Sequence, residues 1–371
     1  MTGLDFTGRA VLAPLTKGGN LPFRRLCVEL GAEITMSEMA YAKKVARGGR
    51  AELALLRKHA DENCFGVQIA AGRVEDAVRA GAIAAERGAA FVDINCGCPI
   101  HDTIKRGMGA TMMRRPDVLA KMVEAMVKEL PIPVTVKLRS GWSESRINCI
   151  EVARELEQHG VHAIALHARS REQRYTKSAN WDLIAELVES VSVPVIGNGD
   201  ILTWYEARDR RAASGCAAVM LGRGALIKPW LFREIRESAT WEPTASERVA
   251  IYARFVELLK EHFRDDEKGR TRAMRFLPWH FSFFCRYRPL PVEPFEVRSR
   301  EHPLLQTRFP RTESDDPLDR LLEDPREEVH LAIANALWDA DPGEAETALR
   351  ALAADHAPVD DDYDEVAVAH G

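Results

Sequence analysis

Several things are missing from this chain. No apolar run approaches the roughly 20 residues needed to span a bilayer. The N-terminal stretch MTGLDFTGRA lacks the charged-then-apolar order of a secretory signal. Positive charge is not in excess: the formal net charge is −5, so any nucleic-acid surface must be a local patch. A disulfide framework is also missing. The seven cysteines are an odd number at scattered positions, which fits a reducing compartment. Cys96 and Cys98 form a C-x-C pair with no second pair elsewhere, so the usual zinc spacing is not met and no metal is expected. No G-x-G-x-x-G follows the first apolar run, which argues against a doubly wound dinucleotide fold. The expectation is a soluble, cytoplasmic, monomeric protein with no membrane partner.

What is present is ordinary in bulk and specific in arrangement. At 46% hydrophobic and 29% charged, the composition is that of a globular protein, and 371 residues suffice for one large barrel and a smaller domain. Short apolar, β-rich runs fall at 10–14, 33–37, 65–70, 91–95, 134–138, 162–167, 194–197 and 217–221. Amphipathic stretches of helical length lie between most of them, as at 73–88, 116–130, 147–159 and 203–214. Strand–helix alternation implies right-handed βαβ units and a parallel sheet, and eight units make a (β/α)8 TIM barrel. The pattern turns polar near 237–246, around Pro243. The domains expected are a barrel over 1–240, an all-helical domain over 241–340, and an acidic tail over 341–371. That tail holds nine Asp/Glu and one Arg and reads as disordered.

In such a barrel the loops after the strands carry the function. The fourth strand runs into Asn95-Cys96-Gly97-Cys98-Pro99. Asn95 can both donate and accept, Pro99 stiffens the turn, and Gly107 and Gly109 allow close approach or positive φ. Cys98 is a thiol able to act as acid, base or nucleophile, although a Cys at a strand end is commonly a small buried hydrophobe. After the first strand come Pro14, Leu15 and Thr16, then two glycines, a helix cap at Asn20 and Pro22 in the first turn. The second strand ends at Glu38, either a helix-start charge or a site residue. Gln68 and Lys137 sit inside apolar runs, where an amide needs partners and an ammonium needs something electron-rich. Arg139 shares a face with Lys137, and His167 shares one with Arg169.

From Arg169 to Lys177, three arginines and a lysine (Arg171 and Arg174 among them) face one acid, Glu172, with Tyr175 placed to stack on a base. The last two strands end in Asn198-Gly199-Asp200 and Gly222-Arg223, a paired glycine and cation pattern suited to a phosphate. Between Lys268 and Val292 there are six Lys/Arg and no acid, interleaved with aromatics. Lys268, Arg270, Arg272 and Arg275 are the RNA candidates there, and most of the rings are expected in a helical core.

DINCGCP followed by GMGATMM resembles the active-site segment of the dihydrouridine synthases, flavoenzymes that reduce uridine in transfer RNA. APLTKGGNLPFRRLC, RSREQRYTK and PWLF are similar to the same family, most of all to its eukaryotic branch acting at tRNA position 47. Members of that branch carry zinc fingers ahead of the barrel, and no such stretch is present in this sequence. The resemblance covers roughly residues 9–290.

It implies FMN, with Pro14, Leu15, Thr16, Gln68, Lys137 and His167 near the ring or phosphate. The phosphate itself would lie at Asn198, Gly199, Asp200, Gly222 and Arg223. It implies NADPH or NADH as reductant, and tRNA as partner through Asn95, Arg139, Arg169, Arg171, Arg174, Tyr175 and the 268–275 cations. It also implies Cys98 as proton donor to uracil C5, since an ordinary thiol stays mostly protonated at neutral pH. A uridine must be flipped out to be reached. Three alternatives remain open at this point: ribosomal RNA as substrate, a small-molecule FMN reductase, and an RNA-binding protein whose chemistry has lapsed.

Overall fold

The computed structural model describes residues 4–356. Eight parallel strands close on themselves: β1 Ala10–Leu12, β2 Ile34–Met36, β3 Cys64–Ala70, β4 Phe91–Cys96, β5 Val134–Arg139, β6 Ala163–His167, β7 Val195–Asn198 and β8 Ala218–Leu221. Closure comes from β1 pairing with β8 and β2 with β3. All eight apolar runs form strands because β-branched and small residues alternate between two dry surfaces. One surface is the barrel interior, where Val11, Ile34, Met36, Phe91, Ala165, Ile196 and Met220 meet. The other is the shell between strands and helices, with Val67, Ile94, Val136, Ile164 and Leu221. Phe6 plugs the N-terminal end, its ring 5.7 Å from Phe91 and edge-on.

Four expected helices appear as Val74–Glu86, Pro116–Glu129, Cys149–Gln158 and Trp204–Ser214. Asn20 caps the helix Leu21–Glu29 by accepting from the Phe23 N–H at 3.0 Å, and Thr203 caps Trp204–Ser214 through a capping box with Glu206.

Beyond the barrel lie helices, chiefly Ala245–Phe263, Glu267–Ala273, Leu277–Phe284 and Glu327–Asp339. Phe23 joins them to the barrel, 5.8 Å from the Phe255 ring and 4.9 Å from His280. Phe281, Phe283, Phe284 and Tyr287 are buried, as expected of helical-core aromatics. The tail expectation needs correction within the described residues. Ala345–Ala354 is a helix, with Ala345, Leu349 and Ala353 buried and Arg350 paired to Asp316 at 3.1 Å. An acidic composition hid an apolar stripe at i, i+4, i+8. Residues 357–371 of that expected tail lie outside the described residues. No helix among the described residues is long and apolar enough to cross a membrane.

Candidate active site

Strand register brings the polar residues to one end. Gln68 lies beside Asp93, Asn95 beside Lys137, Arg139 beside His167, and His167 beside Asn198. All but Asp93 line a cavity of about 330 Å³ at the C-terminal mouth. Pro14, Leu15, Thr16, Cys98, Gly199, Gly222 and Arg223 line it as well.

Cys98 sits half-buried on the rim, its thiol donating toward Thr103 Oγ1 at 3.7 Å. Its backbone N–H donates to Asn95 Oδ1 at 2.9 Å, and Gly97 N–H reaches the same oxygen at 3.3 Å. Gly109 holds the loop from behind at φ +62°; a Cβ there would stand 2.7 Å from the Cys98 carbonyl oxygen. Left-handed backbone and lack of space both demand glycine.

Gln68 finds its partners inside the protein. Its Nε2 donates to Asp93 at 2.8 Å, and its Oε1 accepts from Asn95 Nδ2 at 2.8 Å. Lys137 Nζ donates to Asn198 Oδ1 at 3.1 Å. Burial lowers the Lys137 pKa to about 8, with Arg139 adding to the effect and Asp93 opposing it. His167 is pushed well below its ordinary value by burial and by Arg139 and Lys137, so it is neutral. Its Nε2 lies 3.3 Å from Arg169 Nη1 and accepts from it.

Charge patterns alone misplace several residues. Arg169 is 1% exposed and pairs with Asp200 at 2.5 Å, while also donating to the Lys177 carbonyl. Arg139 is equally committed: it donates to the carbonyls of Gly97 at 2.7 Å, Ser170 at 3.1 Å and Arg174 at 3.2 Å. Both brace the mouth from within and tie the Cys98 loop to the 169–177 loop. Asp200 lies at the mouth, but its oxygens already take Arg169, Arg223, Gln306 Nε2 and the Ala179 N–H. A carboxylate so used orients Arg223 and does not itself meet a phosphate. Arg171 stacks over Trp142 at 4.8 Å, Arg174 is exposed, and Tyr175 packs under Arg223 at 4.4 Å.

Lys268, Arg270, Arg272 and Arg275 lie on or just after the helix Glu267–Ala273 and do not line the cavity. Arg270 is bonded to Asn335 at 2.9 Å and to Asp339, whereas Arg272 is exposed on the same helix. Glu38 starts no helix; it accepts the Lys17 N–H at 2.6 Å, and burial raises its pKa. Trp279 and Phe283, from the helix Leu277–Phe284, form part of the cavity wall together with Leu305 and Met39. Sequence reasoning misses them, since rings on a helix read as core.

The mouth fits a flat ligand that carries a phosphate. At Gly222 a Cβ would meet nothing nearer than Leu15 at 3.9 Å, so any side chain would take up cavity space. Arg223 supplies a cation there, and Lys137 another further in.

Comparison with known proteins agrees with this arrangement. The family model described as dihydrouridine synthase matches residues 11–293. The tRNA-dihydrouridine(47) synthase NAD(P)(+)-like protein of Homo sapiens is 43% identical over 305 residues, covering 81% of this chain and 46% of that protein. The tRNA-dihydrouridine(47) synthase of Coprinopsis cinerea is 40% identical over 302 residues, covering 77% and 45%. The chain thus spans about half the length of these relatives. Among solved structures, 2-naphthoyl-CoA reductase aligns with a TM-score of 0.50 at 12% identity, covering 62% of this chain and 50% of that one, a likeness of fold alone. With a family match over most of the barrel, and with Cys98, Lys137 and the Gly222-Arg223 turn meeting at one mouth, the chain belongs to the dihydrouridine synthase family.

Proposed function

We propose that the chain reduces the C5–C6 bond of uridine in tRNA, at position 47, with FMN as resident cofactor, NADPH as reductant and Cys98 as proton donor. The observation that carries this reading is Cys98 itself. It is a half-buried thiol on the rim of a cavity that offers cations at two depths and a glycine-lined turn.

Arg223 and the backbone at Gly199 and Gly222 would hold the FMN phosphate; Lys137, Gln68 and Asn95 would face its ring. Bound there, FMN would supply hydride to uracil C6. Cys98 then gives its proton to C5, where charge has developed. Asn95 keeps the Cys98 backbone fixed during that transfer through its two N–H contacts. Trp279 and Phe283 exclude water from one side of the mouth. The target base enters flipped out of its stack. Arg171 and Arg174 beside the mouth, with Lys268, Arg272 and Arg275 further off, are the cations proposed to meet RNA phosphates.

The reading is tested by incubating flavin-loaded protein, NADPH and unmodified tRNA transcript, then locating dihydrouridine. Formation at position 47 is expected. NADPH oxidation without any dihydrouridine contradicts the proposed substrate.

A further inference from the structure

Asp93 is buried one residue layer below the mouth, on the inward face of β4, and does not line the cavity. Its two oxygens are both used. One accepts from Thr135 Oγ1 at 2.7 Å, the other from Gln68 Nε2 at 2.8 Å. Above it the bonds run one way: Asn95 Nδ2 donates to Gln68 Oε1, and the Gly97 and Cys98 N–H groups donate to Asn95 Oδ1.

An amide can turn over and swap its donor for its acceptor, so two amides in series have no intrinsic polarity. A carboxylate only accepts. Burial raises the Asp93 pKa to about 6, against the pull of Gln68, Thr135 and Lys137, and both of its oxygens accept, the pattern of a carboxylate. Placed at the foot of the series, it forces Gln68 to present Nε2 downward and Oε1 upward. Asn95 must then present Oδ1 to the loop. Had Gln68 turned over, Asn95 would offer Nδ2 to two backbone donors, and the loop would lose its clamp.

We propose that Asp93 is a positioning residue: as the acceptor-only foot of the Asp93–Gln68–Asn95 relay, it sets the amide polarity that clamps the Cys98 backbone at the mouth. This deepens the reading of Cys98 as proton donor, and it can be tested without RNA.

The test is the rate at which iodoacetamide alkylates Cys98 in flavin-loaded protein, resolved by peptide mass. Cys64, the other half-buried cysteine, serves as internal reference. Asp93→Leu and Asp93→Val remove the acceptor. Cys98 is expected to react at least about threefold faster in each, because the loop backbone loosens locally. Cys64 should be unchanged. In turnover, kcat should fall about tenfold or more from misplacement of the thiol, with KM for RNA little changed.

Asp93→Asn keeps the shape but replaces the acceptor-only foot by an amide that can turn over, so a thiol rate between those of wild type and Asp93→Leu is expected. Gln68→Met cuts the relay in the middle with Asp93 intact, and must accelerate the thiol as Asp93→Leu does; it keeps the proposal testable if the Asp93 variants fail to fold. A wild-type Cys98 rate in Asp93→Leu or in Gln68→Met overturns the proposal. So does an Asp93→Asn variant with the wild-type rate, since an acceptor-only foot would then not be needed. A shifted thiol rate in a protein that reduces no uridine leaves this inference standing and removes the functional reading.

Discussion

The two ends of the barrel are made by the same eight strands and are built on opposite chemistry. At the N-terminal end Phe6 and Phe91 meet edge-on, and Gly66 leaves room for the Phe91 ring, since a Cβ there would sit 2.2 Å from it. The inward residues of this floor, Val11, Ile34, Phe91, Ala163 and Ala218 among them, are apolar and buried. At the C-terminal end the inward positions two or four residues along the same strands are Gln68, Asn95, Lys137, Arg139, His167 and Asn198. Nearly every polar atom there is already bonded to protein, which holds the cavity-facing groups rigidly. The floor stabilises the fold, and the mouth gives up part of that stability to bury charge. Lys137 and His167 show this cost as lowered pKa values.

The division of labour between floor and mouth is most exposed at the mouth. Cys98→Ala should keep the yellow flavin, the fold and RNA binding, and lose uridine reduction by about 10²–10⁴-fold, the range for a general acid. Normal rates in single-turnover assays would remove Cys98 from the chemistry.

Lys137 comes next. Its cation is present below pH about 8 and is lost above it. The rate should therefore decline as pH rises through that value. Lys137→Met should cost about 10²–10³-fold, as removal of a preorganised electrostatic donor does. A flat pH profile from neutral to well above the Lys137 pKa would show that the charge is not used.

The floor should respond in stability alone. Phe91→Ala is expected to lower unfolding free energy by about 3–5 kcal/mol, while FMN content and turnover at low temperature stay near wild type. Loss of flavin without loss of stability would mean that the two ends are not separable in this way.

The smallest effect belongs to cations outside the barrel. Replacing Lys268, Arg272 and Arg275 together by Ala should weaken RNA binding and reduce the magnitude of the salt slope by about one for each phosphate no longer neutralised. Reduction rate at saturating RNA should not move.

Much of the mouth is legible in the sequence. Gln68 and Lys137 stand out as polar residues within apolar runs, and Gly222-Arg223 follows the expected last strand. Asp93 carries the same signal as Gln68, an acid inside FVDIN, and is easily passed over beside the more conspicuous Cys98. Burial is not legible. Arg169 opens a basic stretch that reads as surface and Arg139 follows Lys137 at a strand end, yet both point inward, Arg139 to carbonyls and Arg169 to Asp200. Sequence shows charge, while only the return of the 169–177 loop over the mouth shows where that charge goes. Trp279, Phe283 and Leu305 are illegible for a related reason. They come to the cavity from helical segments far along the chain, and nothing local marks a ring as wall and not core.

The assignment of a reaction to this mouth stands or falls on a map of dihydrouridine across all RNA of the source cell, with and without this gene, in a background lacking redundant synthases. Loss confined to tRNA position 47, restored by the wild-type gene and not by Cys98→Ala, is the expected result. Unchanged dihydrouridine at every position would contradict it.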